Sequence, residues 1–88
     1  PENFMLFNPY PNPFNPSTSI SYLMKEASDI QITIHDITGR KVATLLEKFQ
    51  TQGYHTINWD ASKVSSGQYY VYFNVGNIKL SKAITLIK

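Results

Sequence analysis

All five prolines of this 88-residue chain stand among its first sixteen residues, at Pro1, Pro9, Pro11, Pro13 and Pro16. Each proline ring fixes its own φ, removes a backbone donor and biases the residue before it toward extended or polyproline-II geometry. The run Asn8–Pro16, with proline at nearly every second position, therefore excludes helix and predicts a stiff, extended segment. Its asparagines can bond nearby backbone N–H groups and set turns. The same stretch holds Phe4, Met5, Leu6, Phe7, Tyr10 and Phe14, side chains that a free linker would leave in water. We expect an ordered strap over residues 1–17, with its aromatics pinned to a proline-free body over residues 18–88, the whole making one domain.

The body has to stabilise itself by burial alone. With no cysteine there is neither a disulfide framework nor a thiolate metal site, and a chain this short is close to where a single core becomes marginal. Apolar residues make up 42% of the sequence, enough for a core. Nine Ile, four Val, seven Thr and twelve aromatics outweigh four Ala and six Leu, a balance that favours strands over helices. The expected class is all-β.

Alternation places the strands. In Ser19–Met24 the residues Ile20, Tyr22 and Met24 share a face, and in Ile30–His35 the residues Ile30, Ile32 and Ile34 do. Asp36–Arg40 reads as a tight connection in which Gly39 supplies a positive φ. Val42, Leu45, Leu46 and Phe49 fit a helical template over eight residues, but a strand bulged around Ala43–Leu45 fits as well. Eight residues are short for a helix, so the strand is expected. Gln50–Gly53 reads as a polar turn. In Tyr54–Trp59 the face is His55, Ile57 and Trp59, and Asp60–Ser62 reads as a turn capped by the Asp60 carboxylate. After a Ser65–Gly67 turn, Gln68–Val75 sets Tyr69, Val71, Phe73 and Val75 against Tyr70, Tyr72 and Asn74. Gly76-Asn77 turns the chain into Ile78–Ile87, where Ile78, Leu80, Ile84 and Leu86 share parity and Lys82 breaks the apolar row. So many short, evenly spaced apolar strands predict a two-sheet antiparallel sandwich, because a single sheet would leave one apolar face wet.

The chemistry of the side chains points away from catalysis. His35 has the parity opposite to the isoleucines and is expected in solvent; His55 is expected as a packed rim histidine with one nitrogen satisfied. No HExxH spacing, calcium-type acidic loop, phosphate loop or carboxylate pair is present, and no nucleophile, base and orienting group come together. We expect no enzyme, no cofactor and no metal. A formal net charge of +2 is too small to suggest nucleic acid, and no apolar run approaches the length of a membrane span, so neither nucleic acid nor membrane insertion is expected. Binding is more open. Tyr70 and Tyr72 could present an aromatic platform to sugar rings or to a protein. Lys79, Lys82 and Lys88, with no acid among the last eleven residues, suit an edge strand guarded by lysine and also leave a cationic terminus a receptor could read.

Taken together, Tyr10-Pro11-Asn12-Pro13-Phe14-Asn15-Pro16-Ser17-Thr18, Asp36-Ile37-Thr38-Gly39-Arg40-Lys41-Val42, Trp59-Asp60, Ser66-Gly67-Gln68-Tyr69-Tyr70 and the terminal Lys88 resemble the type A C-terminal sorting domain of the type IX (Por) secretion system of Bacteroidetes and related bacteria. The resemblance runs from about residue 6 to 88. Departures are small: Ala61 stands where the family often has glycine, and Pro9 adds a proline ahead of the Tyr-Pro pair. The resemblance implies a seven-stranded Ig-like sandwich that sorts a parent protein rather than reacting with anything. It implies an N-terminal cargo domain, transit through the periplasm, passage through an outer-membrane translocon with a shuttle protein, and presentation to a surface sortase before the parent reaches the cell surface or medium. Under it, the recognised features are expected to be the strap at Pro11, Asn12 and Pro13, the turn at Gly39 and Arg40, and the last strand with Lys82 and Lys88. Two other classes remain: an accessory Ig- or fibronectin-like module of an extracellular enzyme, carbohydrate-binding through Tyr70 and Tyr72 or a simple spacer, and a self-assembling module like those that cap flagellar hooks.

Overall fold

The computed structural model describes residues 4–88; Pro1 lies outside the described residues. Seven strands run in chain order: β1 (Phe4–Leu6), β2 (Ser17–Met24), β3 (Ser28–Asp36), β4 (Lys41–Gln50), β5 (Gly53–Asp60), β6 (Gly67–Val75) and β7 (Ile78–Leu86). They form two antiparallel sheets, β1-β2-β5 and β4-β3-β6-β7, with no helix among the described residues. The chain changes sheet between β2 and β3, between β4 and β5, and between β5 and β6, which gives the Ig-like sandwich that the alternation and the resemblance led us to expect.

The period of two decides what is buried. Ile20, Tyr22 and Met24 of β2 face Ile30, Ile32 and Ile34 of β3 and Val71, Phe73 and Val75 of β6, with Ile84 and Leu86 of β7 completing the core. Phe4 lies against Phe73 and Tyr22 meets the same ring edge-on, at centroid separations of 6.3 and 5.9 Å. Each such side chain withdrawn from water contributes roughly 1.5–3 kcal/mol, which is how a chain without disulfides holds together.

β4 resolves the ambiguous stretch. It pairs along β3, but the register slips twice: Ile32 and Thr33 face Leu46 and Thr44, and Ile34 and His35 face Ala43 and Lys41. Leu45 and Val42 are thus extra residues in two bulges. Each bulge moves the next inward residue three places along instead of two, and that is why a strand carried helix-like spacing. Phe49, which belonged to the helical template, is 58% exposed, while neighbouring Gln50 is buried and accepts the Tyr22 hydroxyl through Oε1 at 3.3 Å.

Other expectations need correction too. Leu80 shares parity with the core residues of β7 yet is 40% exposed, because β7 is an edge strand and its first half has no strand beyond it. His35 is half-buried rather than free: Nδ1 donates to the Gly39 carbonyl at 3.1 Å, Nε2 lies 3.1 Å from Thr33 Oγ1, and the ring packs on Tyr72 at 4.5 Å. His55 sits on the rim as expected, stacked on Tyr22 with Nε2 donating to the Thr51 carbonyl at 2.8 Å.

Candidate recognition surfaces

The proline-rich strap is built into both sheets. Its start is β1, which pairs with β2 in the register Phe4↔Met24 to Leu6↔Tyr22. Tyr10 then bridges Ser19, and the Pro11 carbonyl accepts the Thr18 hydroxyl at 2.7 Å. From there the strap crosses to the other sheet. Asn12 grips β7 with both ends of its amide: Nδ2 donates to the Ala83 carbonyl at 3.2 Å, and Oδ1 accepts the Thr85 N–H at 3.0 Å. Phe14 pairs in parallel beside Leu86, donating to the Thr85 carbonyl and accepting from the Ile87 N–H. Its ring is 2% exposed and meets Trp59, which in turn meets Tyr69 edge-on. The strap is therefore a seam between β2 and β7, and Phe14 plugs one end of the core. The peptide bonds preceding Pro11, Pro13 and Pro16 are cis.

Among the residues singled out from the sequence, Pro11 and Pro13 are exposed on this seam, whereas Asn12 holds β7 from above. Lys82 reaches the same seam, its ammonium donating to Asn8 Oδ1 at 3.0 Å. Asn8 carried no signal of its own in the sequence beyond its place in the proline run.

Gly39 and Arg40 lie apart from the seam, on the β3–β4 turn. The turn is closed by Asp36, whose Oδ1 accepts the Thr38 hydroxyl and the Thr38 and Arg40 N–H groups at 2.6, 2.9 and 3.0 Å. The Thr38 hydroxyl above all, then those backbone donors, hold the Asp36 carboxyl below its ordinary range. Gly39 adopts φ +89°, a region side-chain-bearing residues avoid. The Arg40 side chain is 81% exposed and approaches Asp36 only at 3.6 Å, a contact of little energetic weight. Its guanidinium lies largely in solvent.

Lys88 is occupied. Its ammonium donates to the Ser62 carbonyl at 2.9 Å and its N–H to Ser66 Oγ at 3.0 Å, which ties the chain end to the turn after β5. In that turn Asp60 Oδ1 accepts the Ser62 N–H at 2.9 Å, and this bond leads the lowering of the Asp60 pKa. Tyr70 and Tyr72 lie on the outer face of the four-stranded sheet, away from the strap: Tyr70 is half-buried, and Tyr72 is tilted onto His35. Among the described residues, no group of three His, Cys, Asp or Glu side chains is placed to hold a metal ion, and every buried side-chain nitrogen and oxygen has a partner.

These features define a small all-β sandwich whose N-terminal strap is stitched to its C-terminal strand. The chain belongs to the family of secretion system C-terminal sorting domains, whose model matches residues 8–88. Membership makes it a sorting signal of type IX secretion, carried by a protein destined for the cell surface or the extracellular space. The fold is similar to part of a solved structure, the crystal structure of dimeric latent PorU from Porphyromonas gingivalis, with a TM-score of 0.69 at 20% identity. That likeness covers 96% of this chain but only 9% of the PorU chain, so it speaks for the fold alone. No curated protein matches the sequence.

Proposed function

We propose that this domain is a non-catalytic address label that takes a parent protein from the periplasm through the outer-membrane translocon, with a shuttle protein, and presents it to a surface sortase. The observation that carries the proposal is the family match across residues 8–88, nearly the entire sandwich. The physics of the module agrees with such a role. A disulfide-free core closed by its own strap can fold beside any cargo, and recognition then falls to surface geometry. Two surfaces support this: the seam of Pro11, Asn12 and Pro13 with Lys82 on β7, and the turn that exposes Arg40 beside a rigid Gly39. Lys88 acts mainly as a clasp on Ser62 and Ser66.

The test is a reporter fused ahead of residues 1–88, behind a signal peptide, in a host with type IX secretion. The reporter is expected on the cell surface or in the medium. Retention in the periplasm overturns the proposal.

A further inference from the structure

The strap covers only half of the β7 edge. Along that edge the strap bonds to backbone groups of Ala83, Thr85 and Ile87, all odd-numbered residues. The β6–β7 register runs from Gly67↔Leu86 to Val75↔Ile78 without a slip. In an antiparallel edge strand, alternate residues point their N–H and C=O groups outward, so those of Lys79 and Ser81 face the same way. Among the described residues nothing bonds to them. Beside them, between β1 and β7, lies a groove of about 400 Å³ lined by Phe4, Met5, Leu6 and Lys25 on one side and by Leu80, Ser81 and Lys82 of β7 on the other. Met5 and Leu80 are 45% and 40% exposed there. The lining contains two lysines and no carboxylate.

We infer that the Lys79–Ala83 stretch of β7 is a docking edge that accepts an extended strand from the sorting receptor, a segment that presents both apolar and acidic side chains. This deepens the sorting role proposed above and rests on it. The incoming backbone would continue the four-stranded sheet past β7, bonding to Lys79 and Ser81 where the strap stops. Its apolar side chains would cover Leu80, Met5 and Leu6, and its carboxylates would meet Lys25 and Lys82. Charge selects this occupant over a second copy of the chain. Two β7 edges paired together would crowd Lys79 and Lys82 of one copy against those of the other, with no acid in Ile78–Lys88 to offset them. Lysines that repel self-pairing on an exposed edge thus favour an acidic strand at the same place.

The experiment compares the reporter fused to wild-type residues 1–88 with two variants. Ser81→Pro removes one outward N–H at a place where an edge strand tolerates proline. Lys79→Glu/Lys82→Glu reverses the charge and leaves the backbone donors intact. Amide spectra of the purified domains check the fold, and sedimentation checks association. Exported wild type, with export of the folded variants reduced roughly tenfold, as expected when about 1.4 kcal/mol of binding is lost, supports the edge. Should Ser81→Pro disturb the spectrum, the charge-reversed variant alone decides. Folded variants exported as well as wild type overturn the docking edge and leave the sorting role standing. A wild-type reporter held in the periplasm removes the sorting role and this inference with it. A wild-type dimer that Ser81→Pro dissolves assigns the edge to a second copy and overturns the receptor strand.

Discussion

Gly39 and Arg40 are neighbours in one turn with opposite dependence on the fold. A Cβ at Gly39 would meet no atom within 4 Å, so the cost of Gly39→Ala comes from backbone conformation at φ +89° and not from crowding. We expect a loss of about 1 kcal/mol, read as a fall of about 4–8 °C in Tm for a domain of this size. Arg40→Ala should leave Tm unchanged, since its side chain is 81% exposed, while lowering export of the reporter if the guanidinium is read. A drop in both, or in neither, would remove Arg40 from the recognised surface. The carboxylates give a pH signature. Asp36 and Asp60 are both held below the ordinary carboxylate range in the folded protein, first by the Thr38 hydroxyl and by the Ser62 N–H respectively. In that order of pKa values the unfolded chain takes up protons first, so the stability these groups add is present above the unfolded pKa and is lost as pH falls through the folded one. Thermal melts should weaken below about pH 4, and Asp36→Asn should flatten that slope. Burial raises the Tyr22 phenol, so at the alkaline end stability is lost as pH rises above its ordinary value.

Among the elements, the strap and β7 behave as one unit because Asn12 joins them. Asn12→Ala removes both its bonds to Ala83 and Thr85; at about 1 kcal/mol for each exposed bond, we expect a destabilisation of about 2 kcal/mol. Amide exchange should accelerate at Thr85 and Ile87 ahead of the β3 and β6 amides, and a uniform acceleration would mean that the seam is not a separate unit. The strands themselves were legible in the sequence because alternation at Ile30-Ile32-Ile34 or Tyr69-Val71-Phe73-Val75 is a local property of the chain. The fate of Leu80 was not, because burial at an edge depends on whether another strand lies beyond it. β4 lies between these cases: its two bulges are set by pairing with β3, and the sequence showed them only as spacing that two kinds of element could satisfy. The surfaces divide in the same way. Gly39 in a turn could be read locally. The Asn12 grip on β7 spans residues more than seventy apart, and the occupation of Lys88 depends on a carbonyl contributed by another turn.

For the whole molecule, the two chain ends meet at Phe14. Phe14→Ala should cost about 3–5 kcal/mol, since the ring is enclosed by the core, and urea melts would measure it directly. Loss of Ile84–Lys88 is more severe, for it removes Ile84 and Leu86, two fully buried side chains, and with them both backbone partners of Phe14 and one of the two partners of Asn12. Circular dichroism of that truncated domain should show no cooperative melt. Failure of a truncated reporter to be exported would therefore report unfolding and not the loss of a read motif, and only point changes such as Lys88→Ala can separate the two.

The seam has a further consequence during synthesis, when the chain emerges from its first residue to its last. The strap leaves the ribosome well before β7 but finds half its partners only on that final strand. A protein whose translation stops early can make β1 to β6, yet its strap has no Ala83, Thr85 or Ile87 to bond, and Phe73 and Val71 keep an open flank. The closed seam is thus a receipt for β7: whatever recognises it recognises, in the same contact, that the chain has been made through Ile87 and docked against its own strap.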